Sequence, residues 1–120
     1  MSPERCQALM AEVLQLPRLT ALRQSLSPAG DAGCGPKIIL SCRPCGQAGP
    51  EGVARAFLEA PPVGVVLCSN RLCTKAEIEA ALLHELTHAW DLCNRRLDFA
   101  KCTDLAFSEV RGCHDAVHCT

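Results

Sequence analysis

Thr74-Lys75-Ala76-Glu77-Ile78-Glu79-Ala80-Ala81-Leu82-Leu83-His84-Glu85-Leu86-Thr87-His88-Ala89-Trp90-Asp91 is the stretch from which this chain is read. Thr74 and Glu77 form a capping box, in which a hydroxyl and a carboxylate each satisfy a backbone N–H left open at a helix start. The residues that follow are rich in Ala, Leu and Glu, which favour helix. The spacing predicts a helix running to about Cys93 or Asn94. Within it His84 and His88 stand four residues apart. That separation is one turn of rise and only about 40° of rotation, so both imidazoles leave the helix on one face. Two neutral imidazoles so placed can hold one zinc ion. Glu85, beside the first of them, can take a proton from an activated water and later hand it to a leaving amine. The pattern therefore points to a zinc-dependent endopeptidase with Glu85 as the acid/base. Two ordinary helical histidines are the plainer reading, but the capped helix behind a short strand favours the metal.

A catalytic zinc needs a third protein ligand and an open position. Glu109, 21 residues beyond His88 on a further helix expected from Thr103 or Asp104 through Leu105, Ala106, Val110 and Arg111, is the first candidate. Asp98, in the connection between the helices, is the second. Asp91 lies one turn past His88 and is better suited to accept a histidine ring N–H than to bind the metal. His114 and His118 repeat the four-residue spacing but have no glutamate after His114. Asn94 stands six residues after His88 and Asp91 three after it, so the three-histidine peptidase pattern is absent. Trp90 is expected to pack behind the helix rather than touch substrate. Arg111 is placed to pair with Asp91 or Glu109, or to stabilise developing negative charge.

Working outward, Ser2-Pro3-Glu4 opens an amphipathic helix carried by Cys6, Leu9, Met10, Val13 and Leu14. Pro17 interrupts it, and Leu16, Leu19, Leu22 and Leu26 mark a second short helix. Residues 27–36, with three Gly and two Pro, read as loop. Lys37 to Cys42 and Val63 to Cys68 read as strands, and Val53 to Ala60 as a third, from its place between them. The class is α+β, a zincin-like arrangement with the His84–His88 helix against a small sheet and neighbouring helices. A single domain is expected over 1–120, with N-terminal helices in 1–32 and a peptidase core in 33–120.

Composition sets the remaining bounds. The chain of 120 residues is 48% hydrophobic and 21% charged with a net charge of −1, an ordinary globular balance that argues against nucleic acid as a partner. Val63 to Cys68 is its longest apolar run, too short to cross a bilayer. Glu4 and Glu12 break any signal-peptide pattern at the start, and the same segment is not Arg-rich like a mitochondrial presequence. Ten cysteines are the one extreme. A single CxxC, Cys42 to Cys45, lacks the second pair of a four-cysteine zinc site, so mostly disulfides, and an oxidising compartment, are expected.

In combination these residues resemble the mitochondrial inner-membrane metallopeptidases that mature a membrane subunit of ATP synthase and assist its assembly. The resemblance is carried by Gly33-Cys34, Ser41-Cys42-Arg43-Pro44-Cys45, Val65 to Asn70, His84 to Asp91, Leu97-Asp98-Phe99, Ser108 to Arg111 and Cys119, in that order. It departs at Asp104, where the family usually has His, and at Phe107, where it usually has Cys. Cys73, Cys102 and Cys113 are additional. The resemblance implies one zinc per chain at His84 and His88, Glu85 as catalytic residue, and a protein substrate that is a membrane subunit of ATP synthase. It also implies residence in the intermembrane space, peripheral to the inner membrane, with no transmembrane segment. The other classes open to the chain are a non-proteolytic assembly chaperone and a disulfide-stapled interaction domain.

Overall fold

The computed structural model describes residues 1–28, 33–46, 54–60 and 62–95. Helix α1 spans Pro3–Val13, helix α2 Pro17–Gln24 and helix α3 Lys75–Asn94. Strands β1 (Ile39–Arg43), β2 (Ala56–Glu59) and β3 (Gly64–Cys68) form one sheet in the order β1-β3-β2. The α+β class, the two opening helices and all three strands agree with the sequence reading. The expected last helix, with Asp98, Asp104, Phe107, Glu109, Arg111, His114 and His118, lies outside the described residues, as do Cys102, Cys113 and Cys119.

Local chemistry accounts for the helix boundaries. The Ser2 hydroxyl accepts the Arg5 N–H at 3.1 Å, and Pro3 and Pro17 sit at helix starts, where a missing N–H costs nothing. The Thr74 hydroxyl accepts the Glu77 N–H at 3.1 Å. The Glu77 carboxylate reaches past the capping residue to accept the Cys73 N–H at 2.9 Å. The box therefore forms with its second bond moved one residue outward.

Strand β3 occupies the middle of the sheet and is buried along its whole length. It pairs in parallel with β1, Ile39 opposite Gly64 through Arg43 opposite Cys68. With β2 it is antiparallel, Ala56 opposite Leu67 through Glu59 opposite Gly64. Alternation along the strands divides the sheet into two faces. Val65 and Leu67, with Leu40, Cys42, Ala56 and Leu58, join the main core. Cys6, Met10 and Val13 of α1, Leu19 of α2, and Ile78, Leu82, Leu86 and Ala89 of α3 fill the same core. Val66 and Cys68 face the other way, where they pack with Cys45 and Phe57.

Among the described residues, three disulfides bind these layers. Cys6–Cys42 joins α1 to β1, Cys34–Cys93 joins the segment before β1 to the last turn of α3, and Cys45–Cys68 joins the ends of β1 and β3. The CxxC cysteines thus serve two different bridges, which removes them as a metal or redox pair. Cys73 is free and exposed. Gly33, with φ of +92°, lies against the backbone of Val63, where a Cβ would collide. Next to Cys34, this close approach seats the segment before β1 on the start of β3.

Cys34–Cys93 closes the longest of the three loops, with a sequence separation of 59. Replacing both cysteines by serine should lower stability by up to about 4 kcal/mol through restored chain entropy in the unfolded state. Urea unfolding of the oxidised protein measures this, and an unchanged midpoint would count against the bridge.

Candidate metal centre

Helix α3 owes its position to one stripe of apolar side chains. Ile78, Leu82, Leu86 and Ala89 are fully buried, and Leu83 and Cys93 nearly so. His84 and His88 lie about 200° round the helix from Leu82 and Leu86, so the face carrying them is turned away from that stripe. The core thereby fixes the direction in which the histidine-bearing face points. Asp91 shares their face, seven residues beyond His84 and three beyond His88.

The two imidazoles meet. Their Nε2 atoms are 3.0 Å apart and their ring planes stand at 84°, with centroids 4.6 Å apart. Only a proton or a cation between the two nitrogens satisfies this arrangement, because two bare lone pairs repel. Two nitrogens on a tetrahedral zinc, at about 2.0–2.1 Å from the ion, lie about 3.3 Å from one another. The observed spacing falls close to that, so His84 and His88 fit as a two-point metal seat. His88 is 5% exposed and His84 half-buried, so the seat opens on the His84 side. Glu85, also partly exposed, adjoins His84 in sequence.

The surroundings are tightly tied. The buried Thr87 hydroxyl donates to the Leu83 carbonyl at 2.8 Å. Asp91 is fully buried, and the Arg95 Nε stands 3.6 Å from its Oδ1. The Arg95 guanidinium also covers Trp90 at 5.5 Å from the ring centre. Trp90 packs against the main core, in keeping with the packing role read from the sequence. At the last turn, Asn94 accepts the Ser27 N–H and donates to the Ser25 carbonyl, both at 2.8 Å.

Of the expected site residues, the structure brings His84 and His88 together. Among the described residues no group of three or more His, Cys, Asp or Glu is placed to hold a metal. Glu109 and Asp98 both lie outside the described residues. The sequence reading missed Asn94, and also Asn70 and Arg71 at the end of β3, whose side chains bond main-chain groups of distant segments. Asn70 stood in the sequence only as the last residue of the Val65 to Asn70 stretch, and Arg71 and Asn94 only as lone polar residues near the end of an element.

The model of the peptidase M76 family matches residues 4–120. The chain is 34% identical over 96 residues to the mitochondrial inner membrane protease ATP23 of Malassezia globosa, covering 72% of this chain and 36% of that protein. Against the human mitochondrial inner membrane protease ATP23 homolog, identity is 28% over 121 residues, covering 99% of this chain and 47% of that one. For the Schizosaccharomyces pombe protease atp23 it is 35% over 72 residues, 60% of this chain and 36% of the relative. The chain thus spans between a third and a half of the length of these curated relatives. No solved structure matches it.

Asn94→Ala removes both bonds that tie the end of α3 to residues 25–27. A loss of about 1–2 kcal/mol in urea unfolding is expected, with the Trp90 fluorescence of the folded state unchanged. A shifted folded-state spectrum would mean that Asn94 also shapes the histidine face.

Proposed function

The chain belongs to the peptidase M76 family, and from that premise we propose that it is a zinc-dependent metalloendopeptidase with a zincin-like core. The observation that carries the proposal is the convergence of the His84 and His88 Nε2 atoms at 3.0 Å on a helix whose opposite face is locked into the core.

His84 and His88 hold one zinc through Nε2, and Glu109 completes the ligand set, with Asp98 as the rival third donor. A bound ion would supply Lewis acidity toward a water and a peptide carbonyl. The Glu85 carboxylate accepts the proton of the attacking water and returns it to the amide nitrogen of the leaving segment. The burial of His88 holds its ring in one orientation, so no rotamer search precedes metal capture. An extended peptide lies beside α3 along β2, an outer strand of the described sheet, held through main-chain hydrogen bonds.

The substrate is a protein segment, and the family resemblance names a membrane subunit of ATP synthase, whose assembly the chain also aids. The site of action is the mitochondrial intermembrane space, peripheral to the inner membrane. In support of this, the relatives are named inner membrane proteases, and three disulfides suit an oxidising compartment. No described helix is long and apolar enough to cross a membrane.

Glu85→Gln is expected to retain one zinc per chain by elemental analysis while hydrolysis of a labelled protein substrate falls at least about a hundredfold. Full activity in this variant would sink the mechanism. Assembly of ATP synthase preserved in its presence would identify a separate chaperone role. His84→Ala and His88→Ala should each lose the metal. Of Glu109→Ala and Asp98→Ala, the first should weaken zinc binding and the second leave it intact; the reverse outcome reassigns the third ligand.

A further inference from the structure

At the end of β3 the chain makes a short 3-10 turn, Ser69–Arg71, before α3 begins. Two consecutive side chains of this turn reach out to other segments. The Asn70 amide forms a two-point contact with Cys45, accepting its N–H at 2.9 Å and donating to its carbonyl at 3.1 Å. The Arg71 guanidinium forks: Nη1 donates to the Ala54 carbonyl at 2.8 Å and Nη2 to the Gly46 carbonyl at 2.5 Å. Gly46 lies three residues past the end of β1, and Ala54 two residues before the start of β2. One planar group therefore fixes both the exit from β1 and the entry to β2.

The need for such a clamp follows from the sequence. The part of the connection between the two bonded carbonyls is Gly46-Gln-Ala-Gly-Pro-Glu-Gly-Val-Ala54, with three glycines and a proline and only one sizeable apolar side chain. Strand β2 has four residues, and only Ala56 among them is fully buried. Beyond its ladder to β3, the entry to β2 is secured by the Cys68 N–H donating to the Arg55 carbonyl at 2.8 Å. Arg71 adds a bond at the very next residue. Cys45, the neighbour of Gly46, is tied to Cys68 by a disulfide and to Asn70 by hydrogen bonds, so the other prong of the fork has a rigid anchor.

We infer that Arg71 is a positioning residue for peptide binding: its fork sets the place of β2 beside α3, and so the edge along which a peptide is held. The inference rests on the peptidase reading given above. A peptide bound by strand addition is recognised through a row of main-chain bonds. A small displacement of the strand weakens all of them together while leaving the zinc ligands and Glu85 in place. Arginine is required because its planar, five-donor head spans two carbonyls, whereas a lysine ammonium serves one point.

The test uses the zinc-loaded chain with Arg71→Ala and Arg71→Lys. Hydrogen–deuterium exchange should show faster exchange across residues 54–59 by at least about tenfold in Arg71→Ala, less in Arg71→Lys, with α3 protection and zinc content unchanged. With fluorescein-labelled casein as the probe, KM should rise about tenfold in Arg71→Ala at nearly constant kcat, and Arg71→Lys should recover part of it. Unchanged exchange in β2, an equal loss across the sheet and α3, or a fall in kcat at constant KM would each overturn the inference. An inert wild-type chain would count against the peptidase reading, whereas the exchange data judge the clamp by themselves.

Discussion

Helix α3 lies across β3, and the dry contact between them is the constraint from which the site derives. Val65 and Leu67 present one side of a fully buried strand, and Leu82, Leu86 and Ala89 present one stripe of the helix. Once these surfaces close, rotation of the helix about its axis is fixed, because turning it by one residue would take Leu82 and Leu86 out of the core together. His84 and His88 then have one direction available to them. Core packing sets that direction, and a proton or a cation shared between the Nε2 atoms accounts for their 3.0 Å approach.

A chain of this size gains a limited hydrophobic stabilisation, and short strands of four or five residues contribute little ordering. The three disulfides meet that shortfall at the seams. Cys6–Cys42 attaches α1 to the sheet edge, Cys45–Cys68 fixes the ends of the parallel pair, and Cys34–Cys93 secures the far end of α3. Polar contacts repeat the pattern with different chemistry. Asn94 lies beside Cys93 in sequence, and Asn70 and Arg71 follow closely on Cys68. Two of the bridges, Cys34–Cys93 and Cys45–Cys68, thus have a hydrogen-bonding side chain near them that fixes a connection the bridge alone would leave free to pivot.

What could be read in the sequence was what local chemistry decides. Thr74 and Glu77 announce the start of α3, Pro3 and Pro17 the starts of α1 and α2, and the four-residue spacing of His84 and His88 their shared face. The parallel pairing of β1 with β3 had no such signal, since it depends on a crossover rather than on any residue in either strand. The partners of the cysteines were equally hidden, because pairing follows from distances that only the folded chain establishes. Even CxxC, suggestive as a unit, is divided between Cys6 and Cys68. Arg71 and Asn94 carry no periodicity at all, and their roles emerge only when the carbonyls they bind are located.

The described end of α3 also bears on how the metal seat is completed. Arg95 caps the helix, and the midpoint between His84 and His88 lies about nine residues back, roughly 13 Å along the axis. Asp98 is three residues beyond Arg95, a reach of at most about 10 Å even when fully extended. To ligate, that carboxylate would have to double straight back along the helix and add nearly its whole side-chain length, with no residue left over for the turn. Glu109 lies fourteen positions beyond Arg95, a length that would allow the chain to reverse direction. The anchoring of α3 by Cys34–Cys93 and Asn94 sharpens the argument, since a fixed helix end cannot fray to lend the missing length. Under the proposed zinc reading, chain length is easier to reconcile with Glu109 than with Asp98 as the third donor.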